Sequence, residues 1–268
     1  LRLRNQFCCI ETGYTFVSKV ATLLFEVTLL FLGYIMKNIL LASTSTLFGG
    51  QYLEYLHDEI KDLFKGVDEI VFIPYARPSG LSHDDYTAKA AGYFTTLGIS
   101  VKGLHTFADP ADALQQAKGV FTGGGNTFLL AKQMQELNLF PVLKQRVENG
   151  MPYMGASAGS NIAGINISTT NDMPIVYPPS FDAMGLVNFN INPHYLDPDP
   201  TLKHNGETRE TRILEFLTQN SIPVIGLREG SWLRVKENKI VLKGNHTARI
   251  FEKGKAPYEV ETGTVIAF

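Results

Sequence analysis

Pro152-Tyr153-Met154-Gly155-Ala156-Ser157-Ala158-Gly159 passes from a short apolar strand, through a turn of small residues, into a helix-compatible stretch at residues 160–165. This is the strand–turn–helix setting of a nucleophile elbow, and the pentapeptide from Gly155 to Gly159 has its G-x-S-x-G pattern. Small neighbours are a physical requirement, because a turn sharp enough to lift a serine Oγ off a strand end leaves no room for larger ones. The helix that starts behind the serine aims N–H groups at any negative charge developing there. A plain strand–helix turn shares the pentapeptide, so the rest of the chain has to choose between the two readings.

Outward from this stretch, strand-like and helix-like segments alternate. Residues 39–43 are a short apolar run, and Leu53, Leu56, Ile60, Leu63 and Phe64 fall on one face of a helix over 51–64. Residues 69–74 read as a buried strand. Ser82 opens a helix carrying Tyr86, Ala90, Phe94 and Leu97, which Gly98 closes. Strands at 99–104, 119–122 and 152–155 follow, with helices at 109–117 and 127–150. This alternation predicts an α/β fold with a mostly parallel central sheet flanked by helices. Continuous apolar runs suit strands covered on both faces, and in such sheets sites form beyond the carboxyl ends of strands. Near the C-terminus, residues 231–235, 239–242 and 247–251 read as a β-meander. No linker or repeat interrupts residues 36–268, which are expected to form a single catalytic domain.

Composition narrows the function. The 268 residues carry 24 Lys+Arg against 26 Asp+Glu, a net charge of −2, so no basic excess marks a nucleic-acid partner. The two cysteines, Cys8 and Cys9, are adjacent, which supports neither a disulfide framework nor a cysteine-based zinc site. Residues 1–35 differ in character. They hold Leu23-Leu24-Phe25 and Leu29-Leu30-Phe31-Leu32, broken by Lys19 and Glu26. They read as sequence upstream of a start at Met36, with a targeting segment or anchor as the alternative. A cytoplasmic location is expected, with no membrane partner unless that segment is an anchor.

Further motifs fall at other predicted strand ends. Gly123-Gly124-Gly125-Asn126-Thr127 follows a strand, and its glycines let a ligand approach the main chain. It matches neither phosphate-loop pattern. It fits a backbone donor facing the serine, so that the N–H groups of Gly125 and Ala158 form an oxyanion hole. Among His57, His83, His105, His194, His204 and His246, the best partner for the serine is His194, at the end of Asn190-Ile191-Asn192-Pro193-His194. Asp172, in Thr169-Thr170-Asn171-Asp172-Met173-Pro174, lies between the two in sequence and is the expected carboxylate that orients the imidazole. Gly206-Glu207-Thr208-Arg209-Glu210-Thr211-Arg212 reads as a charged helix start, from which Arg209 or Arg212 could hold a substrate carboxylate.

Together the Gly123–Phe128, Ser157–Gly159, Thr169–Val176, Ile191–His194 and Gly206–Glu210 motifs resemble the aspartyl dipeptidase, or peptidase E, family from about Met36 onward. The resemblance implies a serine peptidase on a class I glutamine amidotransferase-like scaffold, with Ser157 replacing the cysteine nucleophile of those relatives. It implies cleavage of small peptides with an unblocked N-terminal aspartate and no metal or organic cofactor. Carried over residue by residue, it makes Ser157 the nucleophile, His194 the base and Asp172 its partner. Gly125 and Ala158 become the oxyanion hole, and Arg209 the residue that recognises the aspartate side chain. Ala156 departs from the pattern, standing where some relatives have an aromatic residue. Two other readings remain: a serine hydrolase of a different aspartyl bond, as in cyanophycin, and a non-catalytic amidotransferase-like binding module.

Overall fold

The computed structural model describes residues 37–198, 201 and 206–268, and these belong to one compact unit. The expectations for residues 1–35 and for His204 fall outside the described residues. An eight-stranded sheet forms the centre. Five of its strands are parallel neighbours: β1 (Asn38–Ala42), β2 (Glu69–Ile73), β3 (Ser100–Gly103), β4 (Val120–Thr122) and β5 (Tyr153–Ala156), in the order β1-β5-β4-β2-β3. Apolar residues along them serve two cores. Ile39, Leu41, Val71, Ile73 and Val120 face one side, while Leu40, Ala42, Ile70, Phe72 and Phe121 face the other.

Each face is covered by elements whose apolar residues recur at helical spacing. Helices α1 (His57–Leu63) and α2 (His83–Thr95) bury Ile60, Leu63, Tyr86, Ala90 and Phe94 against one face. Ser82 caps α2 by accepting the Asp85 N–H at 3.0 Å. On the other face lie α3 (Pro110–Gln116), α4 (Thr127–Glu136) and α5 (Leu139–Glu148). The single helix expected over 127–150 is thus two helices. Asn138 stands in the left-handed region at φ 51° and turns the chain between them. The short α6 (Ala158–Asn161) follows β5 directly.

The central sheet is mostly parallel, as expected, and one edge makes it mixed: β8 (Ser231–Lys236) adds antiparallel to β1, and β9 (Lys239–Gly244) and β12 (Val265–Ile266) extend that edge antiparallel. One expectation about the sheets is corrected. The expected C-terminal meander is divided between two sheets. Its third strand, β10 (Ala248–Phe251), leaves the hairpin and joins a four-stranded sheet with β6 (Asn190–Pro193), β7 (Val224–Leu227) and β11 (Tyr258–Val260). Gly244, at φ 106°, makes the turn, and a Cβ there would lie 2.2 Å from Gly230 O. Helix α7 (Arg209–Gln219) packs Ile213 and Leu217 with Val224 and Phe251 of this second sheet.

The carboxyl ends of β1, β2, β4 and β5 open on the same side of the parallel sheet. At the β5–α6 turn the packing is close enough to dictate glycine. A Cβ on Gly155 would lie 2.4 Å from Gly159 O, and one on Gly159 would lie 2.3 Å from Thr122 O. Replacing Gly155 with alanine should therefore overpack the turn and lower stability by about 3 kcal/mol. Urea unfolding of the variant beside wild type measures this, and an unchanged midpoint would refute it.

Candidate active site

Ser157 occupies the turn between β5 and α6 at φ 53°, ψ −111°, a backbone conformation that few non-glycine residues adopt. Main-chain bonds hold it there. Its N–H donates to Ala42 O at 3.1 Å, and its carbonyl accepts the N–H groups of Ser160 at 2.8 Å and Asn161 at 2.9 Å. The Ser160 hydroxyl lies 2.7 Å from Ala42 O and 2.9 Å from Gly155 O, tying β1 to β5 beneath the turn.

His194 follows β6, and its backbone is also left-handed, at φ 54°. Its imidazole Nε2 lies 2.9 Å from Ser157 Oγ, and its Nδ1 lies 2.5 Å from Glu229 Oε1. An ionised carboxylate only accepts, so Nδ1 carries the proton and Nε2 is left free to accept from the serine hydroxyl. Glu229 follows β7, beside β6 in the second sheet. Buried Ser43, at the end of β1, links the two sheets. Its Oγ accepts the His194 N–H at 2.8 Å and donates to Leu227 O at 2.8 Å, two residues before Glu229.

Asp172 is not at the imidazole. Its Oδ2 accepts the Thr127 N–H at 2.7 Å and the Thr170 hydroxyl at 3.1 Å. It therefore satisfies a free donor at the start of α4, where a carboxylate also suits the helix dipole. The neighbouring Asn171 side chain donates to Pro193 O at 2.7 Å, immediately before His194. The segment at 169–172 thus braces the glycine loop on one side and the histidine strand on the other. Glu229, the carboxylate at Nδ1, is not among the expected residues, since the sequence reading contains no strand at 224–227. Its signal is positional: Arg228-Glu229-Gly230 follows an apolar run, at a strand's carboxyl end.

The glycine loop abuts the serine. A Cβ on Gly124 would lie 3.0 Å from Ser157 Cβ. Gly125 stands at φ 146°, and a Cβ there would lie 2.2 Å from Ala76 O, so only glycine fits. The loop is pinned on either side by Gly123 N–H to Ile73 O at 3.2 Å and Asn126 N–H to Ala76 O at 2.7 Å. Among the described residues, the N–H groups of Gly125 and Ala158 donate to no main-chain carbonyl outside regular elements.

Arg209 begins α7 and is half-buried. Its Nη1 is buried with no hydrogen-bond partner among the described residues. Burial pulls its pKa below the usual guanidinium range, while the nearby Glu229 carboxylate favours the charge. Such a group is suited to an incoming anion. Arg212, by contrast, pairs with Glu207 at 3.4 Å on the surface. Asp197 and Glu210 are held by two arginines that share Glu259 as a common partner. Arg228 donates to Asp197 Oδ1 at 2.7 Å and to Glu259 Oε2 at 2.9 Å, and Arg249 donates to Glu259 Oε1 at 3.1 Å and to Glu210 Oε2 at 2.8 Å. Among the described residues, no group of His, Cys, Asp and Glu has the arrangement to hold a metal ion. No described helix is long and apolar enough to cross a membrane.

Residues 39–243 match the model of peptidase family S51. The chain is 49% identical to a "Peptidase E" of Streptomyces coelicolor over 227 residues, covering 85% of this chain and 92% of that protein. It is 46% identical over 219 residues to a "Probable alpha-aspartyl dipeptidase" of Drosophila melanogaster, covering 81% of this chain and 90% of that protein. The crystal structure of a peptidase from an acI-B1 Actinobacterium shares the fold, with a TM-score of 0.65 at 19% identity over 88% of this chain and 98% of that one. The chain belongs to peptidase family S51, a family of serine peptidases.

The Glu259 anchor generates a pH prediction. Burial raises its pKa, but hydrogen bonds from Arg228, Thr247 and Arg249 outweigh burial and hold the carboxyl at about 2, below its ordinary 4.5. A depressed carboxylate stabilises the fold above the unfolded value, and that stability is lost as pH falls through the folded one. Wild type should therefore be more stable than Glu259→Gln at pH 7, with the difference shrinking between about pH 4.5 and about pH 2. Denaturant unfolding at a series of pH values measures it. A difference independent of pH would show that the charge is not the source.

Proposed function

We propose that this family S51 peptidase hydrolyses short peptides bearing a free N-terminal aspartate, by way of an acyl-enzyme on Ser157. The observation that carries the chemistry is the imidazole of His194, held between Ser157 Oγ at 2.9 Å and Glu229 Oε1 at 2.5 Å. In the first step His194 Nε2 takes the hydroxyl proton as Oγ attacks the scissile carbonyl carbon. Glu229 holds the ring in the required tautomer and stabilises the imidazolium that forms. The carbonyl oxygen becomes an oxyanion between the N–H groups of Gly125 and Ala158. His194 then protonates the leaving amine, the C–N bond breaks, and an activated water hydrolyses the ester by the reverse path.

The preference for aspartate is assigned to Arg209. A half-buried guanidinium with an unfilled, buried Nη1 donor gains charge-assisted hydrogen bonds from a substrate β-carboxylate. It is left unpaired by an uncharged N-terminal residue. Glutamate meets the charge requirement, but its extra methylene shifts the scissile bond relative to Ser157, and position governs rate. The names carried by the relatives support the same substrate class. We place the whole apparatus in residues 36–268 and the reaction in the cytoplasm, which expression of that segment alone and cell fractionation respectively test.

Hydrolysis of Asp-Leu, Glu-Leu and Leu-Leu by the purified chain is the direct test. Asp-Leu should be cleaved well above the other two. Ser157→Ala should lower kcat by about 10⁵- to 10⁶-fold and Glu229→Gln by about 10³- to 10⁴-fold. Undiminished activity in Ser157→Ala would end the serine mechanism. Arg209→Leu should cost at least about a hundredfold in kcat/KM for Asp-Leu. An equal loss for Leu-Leu would show that Arg209 does not read the aspartate. Cleavage only of an aspartyl polymer would favour the cyanophycinase-like alternative.

A further inference from the structure

The peptide unit joining Gly124 to Gly125 is flanked by glycine on both sides, so no Cβ resists its rotation. It carries the Gly125 N–H on one edge and the Gly124 carbonyl on the other, pointing in opposite directions. A flip of this one unit would aim an oxygen where a donor is needed. Main-chain bonds hold the residues on either side, Gly123 and Asn126. On the unit itself one bond is seen among the described residues: the Tyr86 hydroxyl donates to Gly124 O at 3.1 Å.

Tyr86 is itself fixed. It lies on α2, fully buried, with its ring edge-on to Phe72 at 4.9 Å between centroids. The Arg77 guanidinium sits over the ring, 4.6 Å from its centre. A Cβ on Gly123 would lie 2.5 Å from the Tyr86 hydroxyl, so the glycine loop is shaped to admit that oxygen. Burial pushes the phenol pKa above its ordinary range, with Arg77 pulling the other way, so the hydroxyl keeps its proton and remains a donor. A donor on an amide carbonyl also polarises that amide and strengthens its N–H.

We infer that Tyr86 is a positioning residue of the oxyanion hole, its bond to Gly124 O fixing the direction and strength of the Gly125 N–H. The inference rests on the reading of Gly125 as an oxyanion donor. Tyr86 touches no reacting atom. Its effect falls on the charged transition state rather than on substrate binding.

The test is Tyr86→Phe in the full chain, which keeps the ring and removes the hydroxyl. For Asp-Leu, kcat should fall by about 10- to 100-fold. Binding of Asp-Leu, measured in the Ser157→Ala background with and without Tyr86→Phe, should be unchanged. An aspartyl aldehyde, whose hemiacetal on Ser157 places an oxyanion in the hole, should bind more weakly by the same factor as kcat falls. Gly123→Ala, which displaces the hydroxyl from the other side, should give the same signature and serves if Tyr86→Phe does not fold. Wild-type kcat in either folded variant overturns the inference, as does a loss shared equally with Asp-Leu binding. An aldehyde whose affinity for wild type survives Ser157→Ala would bring down the serine reading, and the inference with it. Intact aldehyde capture with normal kcat in Tyr86→Phe removes Tyr86 alone.

Discussion

The left-handed backbone of Ser157 is the constraint from which the site follows. A side chain in the ordinary strand conformation would point into one of the two cores. The turn at φ 53° lifts it clear of the sheet end instead. Holding a non-glycine residue there costs about 1–3 kcal/mol, and its surroundings must over-determine it. They do so with three main-chain bonds to Ser157 and with a helix that begins so abruptly that Gly155 and Gly159 sit against neighbouring backbone. The small residues of the turn are thus requirements of the geometry that presents the hydroxyl at the sheet end.

A second strained residue completes the arrangement from a different sheet. His194, at φ 54°, and Glu229 lie beyond two parallel strands, β6 and β7, so their side chains emerge side by side. What brings them to Ser157 is the seam between sheets, where Ser43 bonds both to His194 N–H and to the carbonyl of Leu227. This buried hydroxyl is satisfied as donor and as acceptor by the two strands whose spacing matters most to the proposed mechanism. The same economy recurs in Glu259, which pairs with both Arg228 and Arg249, the arginines that hold Asp197 and Glu210.

The parallel half of the fold was legible because its inner strands and β1 are short apolar runs followed by polar or glycine turns, the edge strand β3 (Ser100–Gly103) being more polar and more exposed. Hydrophobic burial on both faces writes that pattern directly. The elbow at Ser157 was legible because steric need restricts its neighbours to a recognisable set of small residues. Where long-range pairing decides, the local signal fails. Residues 247–251 follow a hairpin in sequence, yet β10 pairs with β7, and nothing within the segment distinguishes the two sheets. Asp172 and Glu229 show the same limit. Both are carboxylates near a strand or helix end, and only the three-dimensional seam decides which one meets the imidazole. The Thr169–Asp172 segment does serve the site, by bracing the two elements that flank it.

The pairing of β1 with β8 joins Asn38 to Lys236 and Ala42 to Trp232. The strand beneath the catalytic seam is therefore completed by a segment made near the end of synthesis. During translation, β1 waits with one edge open while Ser157, and then His194, leave the ribosome. Glu229 emerges immediately ahead of β8, and Glu259 later still. A nascent chain that already displays its serine consequently lacks both the carboxylate at the imidazole and the anchor of the arginine segment. Glu229 and Glu259 both lie within the last 40 of the 268 residues. Such non-local closure slows folding, since loop entropy must be spent before contacts repay it.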